Sequence, residues 1–565
     1  MISKFFGAFI VLALFDCSVK AQINSIPRDV QPPSTTPLPN QEPQPIPTLP
    51  NLPAPTPSTT PEEEFDTNQE TFTVSKFEVI GGTVFSKKVL DQILEKYTNR
   101  PVTLADLYQA RKKISDLYLS KGYIQSGAYI PPQKIQDGVV KIQIIETKLK
   151  DRDIEVIGTK RLNPGYIRSR IAASNLGPLN KEVLVKSLQL LRIDPLIKNL
   201  SADLRAGNLP GELLLVVEIT EAKTFSTQLS FDNQRSPSVG DLQRQLQLKE
   251  ANLLGLGDGL NIAYSNTEGS NFLNVAYSIP LNPHEGTLSF NYGIFEGRVI
   301  ENPFSSLDIK SGSQFYELTF RQPIIRSVNE EFALGLTASR RETEISFVPL
   351  QQRIPFPQPG SDNEGRTRIS ALRFFQEWTV RNSRQAFALR SQFNLGIGAF
   401  NATVNPTAPD SRFFSWELQS QWAQLLAPDT LVLLRFSSQL STTNLVSLEQ
   451  FGLGGLSSVR GYRQDLLLGN NGTFASAEIQ FPIFRLPQIN AKLQGIYFTD
   501  IGIVWNSTSN NSTNTLASTG LGLRWSQGDR FFAQLDWGLP LMSVDSPRQT
   551  LQENGIYFQI QYNPF

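Results

Sequence analysis

Few residues in this 565-residue chain can do chemistry. There is one histidine, His284, and one cysteine, Cys17. A zinc site needs three or four ligands of the Cys, His or carboxylate kind, and a thiol enzyme needs its cysteine beside a base. Neither requirement is met. Leu254-Gly-Leu-Gly-Asp-Gly259 has the glycine density of a phosphate cradle. No helical pattern follows it and no lysine is placed for a phosphate, so it reads as a turn between strands. His284 lies in a proline-containing turn and reads as solvated. The Asn506 and Asn511 sequons carry meaning only in a glycosylating compartment. Arginines and carboxylates remain, two of them in short glycine-containing stretches. Arg460 stands in Val459-Arg460-Gly461-Tyr462, and Asp500 in Phe498-Thr-Asp500-Ile-Gly502. A guanidinium and a carboxylate can form a two-point ion pair, which holds a shape rather than breaking a bond. No catalytic constellation, no cofactor and no metal site is expected.

The segment around Asp500 shows what must position it. Lys492, Gln494, Phe498 and Asp500 share one strand parity, and Leu493, Tyr497, Ile501 and Ile503 share the other. Similar alternation recurs throughout the last 340 or so residues. Phe387, Leu389, Phe393, Leu395 and Ile397 alternate with Arg390, Gln392 and Asn394, and Phe414, Trp416, Leu418 and Trp422 with Glu417, Gln419 and Gln421. No run of 18 apolar residues follows Ala222, so no membrane helix is expected there. Sixteen alternating segments begin near residues 225, 241, 258, 271, 286, 313, 330, 366, 385, 412, 430, 472, 491, 517, 529 and 553. Short connections at 255–259, 281–285, 381–384, 427–429 and 526–529 alternate with longer ones near 297–312, 344–365, 401–411, 442–471, 505–516 and 540–552. A soluble sandwich has no reason to sort its loops by length. An outer-membrane barrel does, with short periplasmic turns and long external loops. The expected fold is therefore an all-β, 16-stranded transmembrane barrel over 223–565. Its apolar parity faces lipid, which places Asp500 in the lumen. A lumenal carboxylate wants a positive partner, and the glycines around Arg460 let a long loop turn tightly inside a pore.

Ahead of the barrel the texture changes. Lys4, the apolar run Phe5–Phe15 and Val19-Lys20-Ala21 have the order of an export signal over 1–21. Asp16 before Cys17 argues against a lipoprotein site, and cleavage at Ala21 would leave a mature chain without cysteine. From Pro27 to Pro61, 13 of 35 residues are proline, so 22–71 reads as a disordered, semi-rigid linker. Two small α+β units follow, over 72–149 and 150–222, each in the order β-α-α-β-β. In the first, Phe77 and Val79 mark a strand, Val89 to Tyr97 a helix, and Thr103 with Asp106 the start of a second helix. Strands follow over 123–130 and 139–146. In the second, Ile154 and Val156 open a strand, helices lie near 166–173 and 181–191 behind Asn180 as N-cap, and Leu213–Ile219 closes the unit. The two closing strands look like copies of one another. Charge is balanced, with 52 Lys+Arg against 52 Asp+Glu, which disfavours a nucleic-acid partner.

Several of these features carry a family resemblance. Gly122-Tyr123, Tyr129-Ile130-Pro131-Pro132-Gln133, Gly138 and the strand to Glu146 resemble the POTRA module of two-partner secretion transporters. Gly177-Pro178-Leu179-Asn180 and the stretch 191–211 are similar to a second POTRA module. Asn252-Leu-Leu-Gly255 with Gly257-Asp258 resembles a turn of the same transporters. Val459-Arg460-Gly461-Tyr462 resembles the VRGY motif of the BamA-type superfamily, and Phe498-x-Asp500-x-Gly502 its partner motif on the barrel wall. The chain over 72–565 thus resembles the two-partner secretion transporters of the ShlB/FhaC/HecB haemolysin secretion/activation family. That resemblance implies a loop folded into the barrel, with Arg460 paired to Asp500 on the inner wall. It also implies POTRA domains in the periplasm, outer-membrane lipid around the barrel, and a large, β-helical exoprotein as partner. Relatives often begin with a helix that plugs the pore, but Gln22–Val30 is short and holds Pro27. The chain ends in Phe565, while Ile556, Phe558, Ile560 and Tyr562 alternate in the opposite parity, so the usual assembly signal is imperfect.

The expected function is ATP-independent secretion, with possible activation, of an unfolded exoprotein through a monomeric pore. A BamA-type insertase is the alternative, because VRGY does not separate the two. The paired modules and the Tyr-Ile-Pro-Pro-Gln stretch favour secretion. A passive porin needs neither the modules nor the motif.

Overall fold

The computed structural model describes residues 71–206, 213–348, 353–356, 358–506, 514–544 and 549–565. The expected export signal and all but the last residue of the expected linker lie outside the described residues, as does Asn511.

The first α/β unit runs from strand Lys76–Ile80 through helices α1 (Lys87–Leu94) and α2 (Leu104–Ser120) to strands Gly127–Tyr129 and Val139–Ile145. The second repeats the order with strand Ile154–Ile157, helices α3 (Pro164–Ser174) and α4 (Lys181–Arg192), and strands Ile197–Ala206 and Leu213–Glu221. In both, the closing strand sits mid-sheet, parallel to the first strand and antiparallel to the one before it. Helix α2 starts where the sequence says it should. Thr103 accepts from the Asp106 backbone at 3.2 Å, and the Asp106 carboxylate accepts from the Thr103 backbone at 2.9 Å. Its Leu107, Ala110, Ile114 and Tyr118 then bury one face against Val140, Ile142 and Ile144. Asn163 and Asn180 cap α3 and α4. One element escapes the sequence pattern: Phe72–Val74 pairs with Arg100–Val102. Three-residue strands are too short to show an alternation.

The barrel has sixteen spanning strands: β1 (Phe225–Asp232), β2 (Gln243–Glu250), β3 (Gly259–Asn266), β4 (Ser270–Pro280), β5 (Thr287–Arg298), β6 (Ile309–Arg326), β7 (Glu330–Phe347), β8 (Arg366–Arg381), β9 (Gln385–Ile397), β10 (Phe414–Ala427), β11 (Thr430–Ser441), β12 (Asn471–Leu486), β13 (Ala491–Trp505), β14 (Asn514–Gln527), β15 (Phe531–Pro540) and β16 (Ile556–Tyr562). Neighbours pair antiparallel, and β16 closes on β1. Closure leaves no free edge, which is what hydrocarbon demands of a sheet. The outward parity carries large apolar side chains left exposed, among them Leu229, Phe290, Phe374, Tyr497, Ile501 and Trp537. So broad an apolar band on a folded surface marks the lipid contact. The turns 327–329, 382–384, 428–429 and 528–530 are short, and the connections 348–365, 398–413, 442–470 and 541–555 at the other end are long. The connection 267–269 is a short exception on the long side. Strand β6 begins at Ile309 rather than near 313. There Lys310 and Gly312 occupy outward positions, so the apolar alternation fades while pairing with β7 continues beyond the lipid. Strand β16 begins at Ile556 rather than near 553, because Gln552–Asn554 form a 3-10 turn ended by Gly555 at φ 76°.

The second α/β unit is docked on two periplasmic turns. The Asn163 backbone N–H donates to Gly255 O at 2.8 Å, and Arg161 Nη2 to Asn252 O at 3.0 Å. A Cβ on Gly257 would lie 2.2 Å from the Tyr166 ring, so the glycine turn is a socket for α3. Arg170 stacks on that ring at 3.4 Å and pairs with Glu285 of the next turn at 3.5 Å.

The two units also share a carboxylate lock. Glu146 at the end of one closing strand accepts from the backbones of Thr83 (2.7 Å) and Val84 (2.9 Å) and from Tyr118 Oη (2.7 Å). Glu221 at the end of the other accepts from the backbones of Lys160, Arg161 and Leu162 at 2.5–3.0 Å. Partial burial alone would raise both carboxyls, but these donors outweigh it and hold each below its usual range. A depressed folded pKa contributes stability that is full above the unfolded value, about 4.3, and is lost as pH falls through the folded value. Glu146→Gln should therefore cost about 1–2 kcal/mol at pH 7, allowing for the exposure of the site. The deficit should shrink below about pH 4.3. Scanning calorimetry of the whole protein at pH 7 and pH 3 checks this. An equal deficit at both values would show that the carboxylate charge is not what locks the loop.

Candidate functional site

The connection 442–470 between β11 and β12 folds into the lumen, where its Arg460 is 2% exposed. Asp500, fully buried, stands at an inward position of β13. Arg460 Nε lies 2.8 Å from Asp500 Oδ2, and Nη2 lies 3.0 Å from Oδ1. This is the two-point pairing that the sequence suggests. The Arg460 backbone N–H also donates to Oδ2 at 3.1 Å, so the carboxylate fixes main chain and side chain together.

The other motif residues have distinct tasks. The Phe498 ring lies under the guanidinium, 3.4 Å from its centre, and covers one face of the cation. Gly461 has φ 99°, where a side chain would be strained. It faces Gly538 so closely that a Cβ on the latter would lie 2.6 Å from the Gly461 nitrogen. Tyr462 Oη donates to Ala517 O at 2.8 Å and accepts from the Met542 backbone at 3.0 Å. Val459 packs with Leu453, Phe474, Val504 and Leu516. Gly502 leaves room for that packing, since a Cβ there would meet Leu453 at 2.7 Å and Val459 at 3.2 Å.

Four groups of residues at this site were not singled out by the sequence reading. Arg460 Nη1 also meets Glu478 on β12 at 2.8 Å and Asp536 on β15 at 3.5 Å. Both carboxylates are at inward parity, but sequence alternation does not tell which residues stand at one height across several strands. Tyr557 of β16 clamps the motif backbone, accepting from Gly461 N at 2.9 Å and donating to Tyr462 O at 2.5 Å. A second anchor lies at the other end of the loop. Glu449 is bound bidentately by Arg373 of β8 at 2.7 and 3.0 Å, with Arg341 of β7 at 3.6 Å. Its signal was readable: Glu449 is a lone carboxylate beside Leu445, Val446 and Leu448, all of which are buried. The loop is thus strapped at two places with opposite polarity, an arginine on acidic wall and a glutamate on basic wall. Arg463 adds a third tie, to Glu301 of the connection after β5, at 2.8 Å.

A closed lipid-facing barrel, two α/β units of which the second is docked at its rim, and a strapped loop in its lumen define an outer-membrane barrel with periplasmic domains. Residues 211–525 match the family described as haemolysin secretion/activation protein ShlB/FhaC/HecB. Residues 72–147 match the POTRA domain, ShlB-type. The chain is 23% identical over 474 residues to the heme/hemopexin transporter protein HuxB of Haemophilus influenzae, covering 80% of each. The solved structure of CdiB from Escherichia coli superposes with a TM-score of 0.63 at 20% identity, covering 90% of this chain and 93% of that one. BamA from Haemophilus ducreyi lacking POTRA domains 1–3 superposes with a TM-score of 0.51 at 15% identity, covering 87% and 100%. The likeness to BamA is one of fold alone. The chain belongs to the ShlB/FhaC/HecB haemolysin secretion/activation family. It is accordingly an outer-membrane transporter of the two-partner secretion kind, with its POTRA region in the periplasm.

Removing Arg460 leaves Asp500, Glu478 and Asp536 facing one another without their shared cation. Breaking a buried pair costs roughly 3–5 kcal/mol, reduced where water enters. The strand ladders and the Glu449 anchor remain, so Arg460→Ala should still migrate as a compact, heat-modifiable barrel. A loss of about 3 kcal/mol would raise the population of released loop on the order of a hundredfold. Trypsin cleavage after Arg463, followed by mass spectrometry, should accelerate accordingly. Cleavage as slow as in the unaltered protein would show that Arg460 does not hold the loop.

Proposed function

We propose that the two α/β units receive an unfolded segment of the partner exoprotein in the periplasm and deliver it to the barrel. In this reading residues 1–21 are an export signal, 22–71 a spacer, 72–149 and 150–222 receiving domains, and 223–565 the pore. The observation that carries it is the edge strand Gly127–Tyr129. It pairs with the closing strand on one side, and among the described residues no strand covers its other side. Tyr129 is exposed beside that edge. On that edge the Ala128 backbone N–H donates to Ser115 Oγ at 3.0 Å, so an extended chain adds there by taking over this donor, with little demand on its sequence. The dock of α3 on the periplasmic turns then holds the receiving units at the mouth of the lumen.

The strapped loop serves as a fixed lining of the pore. Val459, Arg460, Gly461 and Tyr462 on the loop, with Phe498, Asp500 and Gly502 on the wall, are the residues that keep it there. Transport through a monomeric barrel needs no nucleotide in this scheme, because folding of a large, β-helical exoprotein outside the cell draws it outward. The chain itself performs no bond chemistry.

Comparing the proteins released by cells with and without this chain tests the reading. Loss of one large secreted protein is expected, and broad loss of outer-membrane barrels would contradict it. Arg460→Ala should abolish nearly all of that secretion at an almost unchanged level of the transporter. A fragment of residues 72–222 should bind the unfolded N-terminal region of the same exoprotein with about micromolar affinity, in keeping with a small augmented edge. Absence of binding while the whole protein still exports would remove the receiving role.

A further inference from the structure

The inner wall of the barrel is made of two unlike surfaces. Over the arc from β6 to β15 it is an ion-pair surface whose charges bind one another. Arg321 lies 2.7 Å from Glu377, which also meets Arg390 at 3.2 Å, and Glu417 accepts from Asn394 at 2.7 Å. The loop straps described above, Arg460 and Glu449, are fastened on this arc. The remaining arc is six contiguous strands, β16 and β1 to β5. Its inward positions at mid-height carry primary amides: Gln561, Gln228, Gln247, Asn261, Asn274 and Asn291. Neighbours bond in pairs, Gln228 to Gln561 at 3.4 Å, Gln247 to Asn261 at 2.8 Å and Asn274 to Asn291 at 2.7 Å. All six remain partly solvent-accessible. Charge at inward positions of these strands is confined to the two ends, Asp232 at the external end and Lys249 at the periplasmic end.

We propose that this amide arc is the binding surface for the polypeptide in transit, and that its ligand is an extended, unfolded chain of low net charge. The inference rests on the export reading above and assigns the path within it. An unfolded backbone presents N–H and C=O groups in equal number. A primary amide both donates and accepts, so it can replace water at either group whatever the passing residue. Each contact is weak and interchangeable with the next, which lets a chain advance without finding a deep minimum. An uncharged wall neither traps nor repels passing charges. The ion-pair arc offers the opposite: most of its charged groups are committed to one another, and passage along it would have to break those pairs. The Arg460 and Glu449 straps lie on the ion-pair arc and the loop meets the amide arc toward its external end, through Tyr557 and through Arg463 with Glu301, so a fixed loop and a chain moving along the mid-height amides can share the lumen.

The test uses the whole protein with Cys17→Ser, reconstituted, and a synthetic peptide as probe. The peptide contains Ser, Thr, Asn and Gly with one central cysteine. Roughly forty residues suffice to thread the barrel, at about 3.3 Å per extended residue. Single cysteines replace Gln247, Asn261 or Asn274 on the amide arc, and Gln419 or Ser437 on the ion-pair arc. Heat-modifiable migration confirms that each variant is folded. Oxidation should crosslink the peptide to the amide arc about tenfold more than to the other, a preference of about 1.4 kcal/mol. The yield should be the same in low and high salt, because no net charge is involved. Equal yields on both arcs, preference for the ion-pair arc, or no crosslink at either would overturn the proposal. None of those results bears on whether the chain exports its partner, which is scored separately by the loss of a secreted protein.

Discussion

A single guanidinium organises the inside of this barrel. Arg460 comes from a loop, yet its three nearest carboxylates belong to β12, β13 and β15. A cation this deeply buried is tolerable only with full hydrogen bonding and compensation of charge. The surroundings supply both. Ser476 donates to Asp500 at 2.6 Å, Gln480 to Glu478 at 2.8 Å and Gln534 to Asp536 at 2.8 Å, so the three acids are themselves held in place. The fold of the loop follows from that fixed point. Gly461 must accept a positive φ beside Gly538, Tyr462 must reach Ala517, and Gly502 must give up a side chain so that Val459 can pack.

The second strap changes what the loop can be. One anchor would leave a hinged flap. With Arg460 held on one part of the wall and Glu449 held by Arg373 on another, the connection spans part of the lumen as a strap. The ion-pair arc supports that strap, and the amide arc opposite is left partly accessible. The second α/β unit is tied to the same frame, because α3 sits in the socket formed by the turn between β2 and β3. Both strands flanking that turn belong to the amide arc, which gives a short route from the periplasmic units to the inner surface.

Much of this was legible from residue types alone, for a physical reason. A strand in lipid must alternate, so parity assigns Asp500, Phe498 and Gln494 to the lumen and Tyr497 and Ile501 to the membrane, as observed. Helix caps are local, and Thr103 and Asn180 cap helices close to where their spacing to the following residues indicates. Loop lengths sort the two barrel ends. Register across strands is a different kind of information. Glu478 and Asp536 reach Arg460, and Tyr557 the Gly461 and Tyr462 backbone, only because β12, β15 and β16 pair with particular offsets, and parity does not contain those offsets. Glu449 and Arg373 lie far apart in the chain, so their pairing also waits on the path of the loop. The short sheet of Phe72–Val74 and Arg100–Val102 has too few residues to show a period.

The central claim is that the anchored loop is part of the working pore and stays in place while a chain passes. A disulfide between Val459→Cys and Gly502→Cys tests it most directly. A Cβ at 502 would stand 3.2 Å from a Val459 methyl, which is within the reach of a disulfide. With Cys17 absent, no other thiol competes. Secretion by the oxidised and reduced forms is then compared at equal levels of folded transporter. The account predicts that the locked form still secretes, at a rate close to that of the reduced form. Secretion abolished by oxidation and restored by reduction would contradict it and make the loop a gate that must leave the wall.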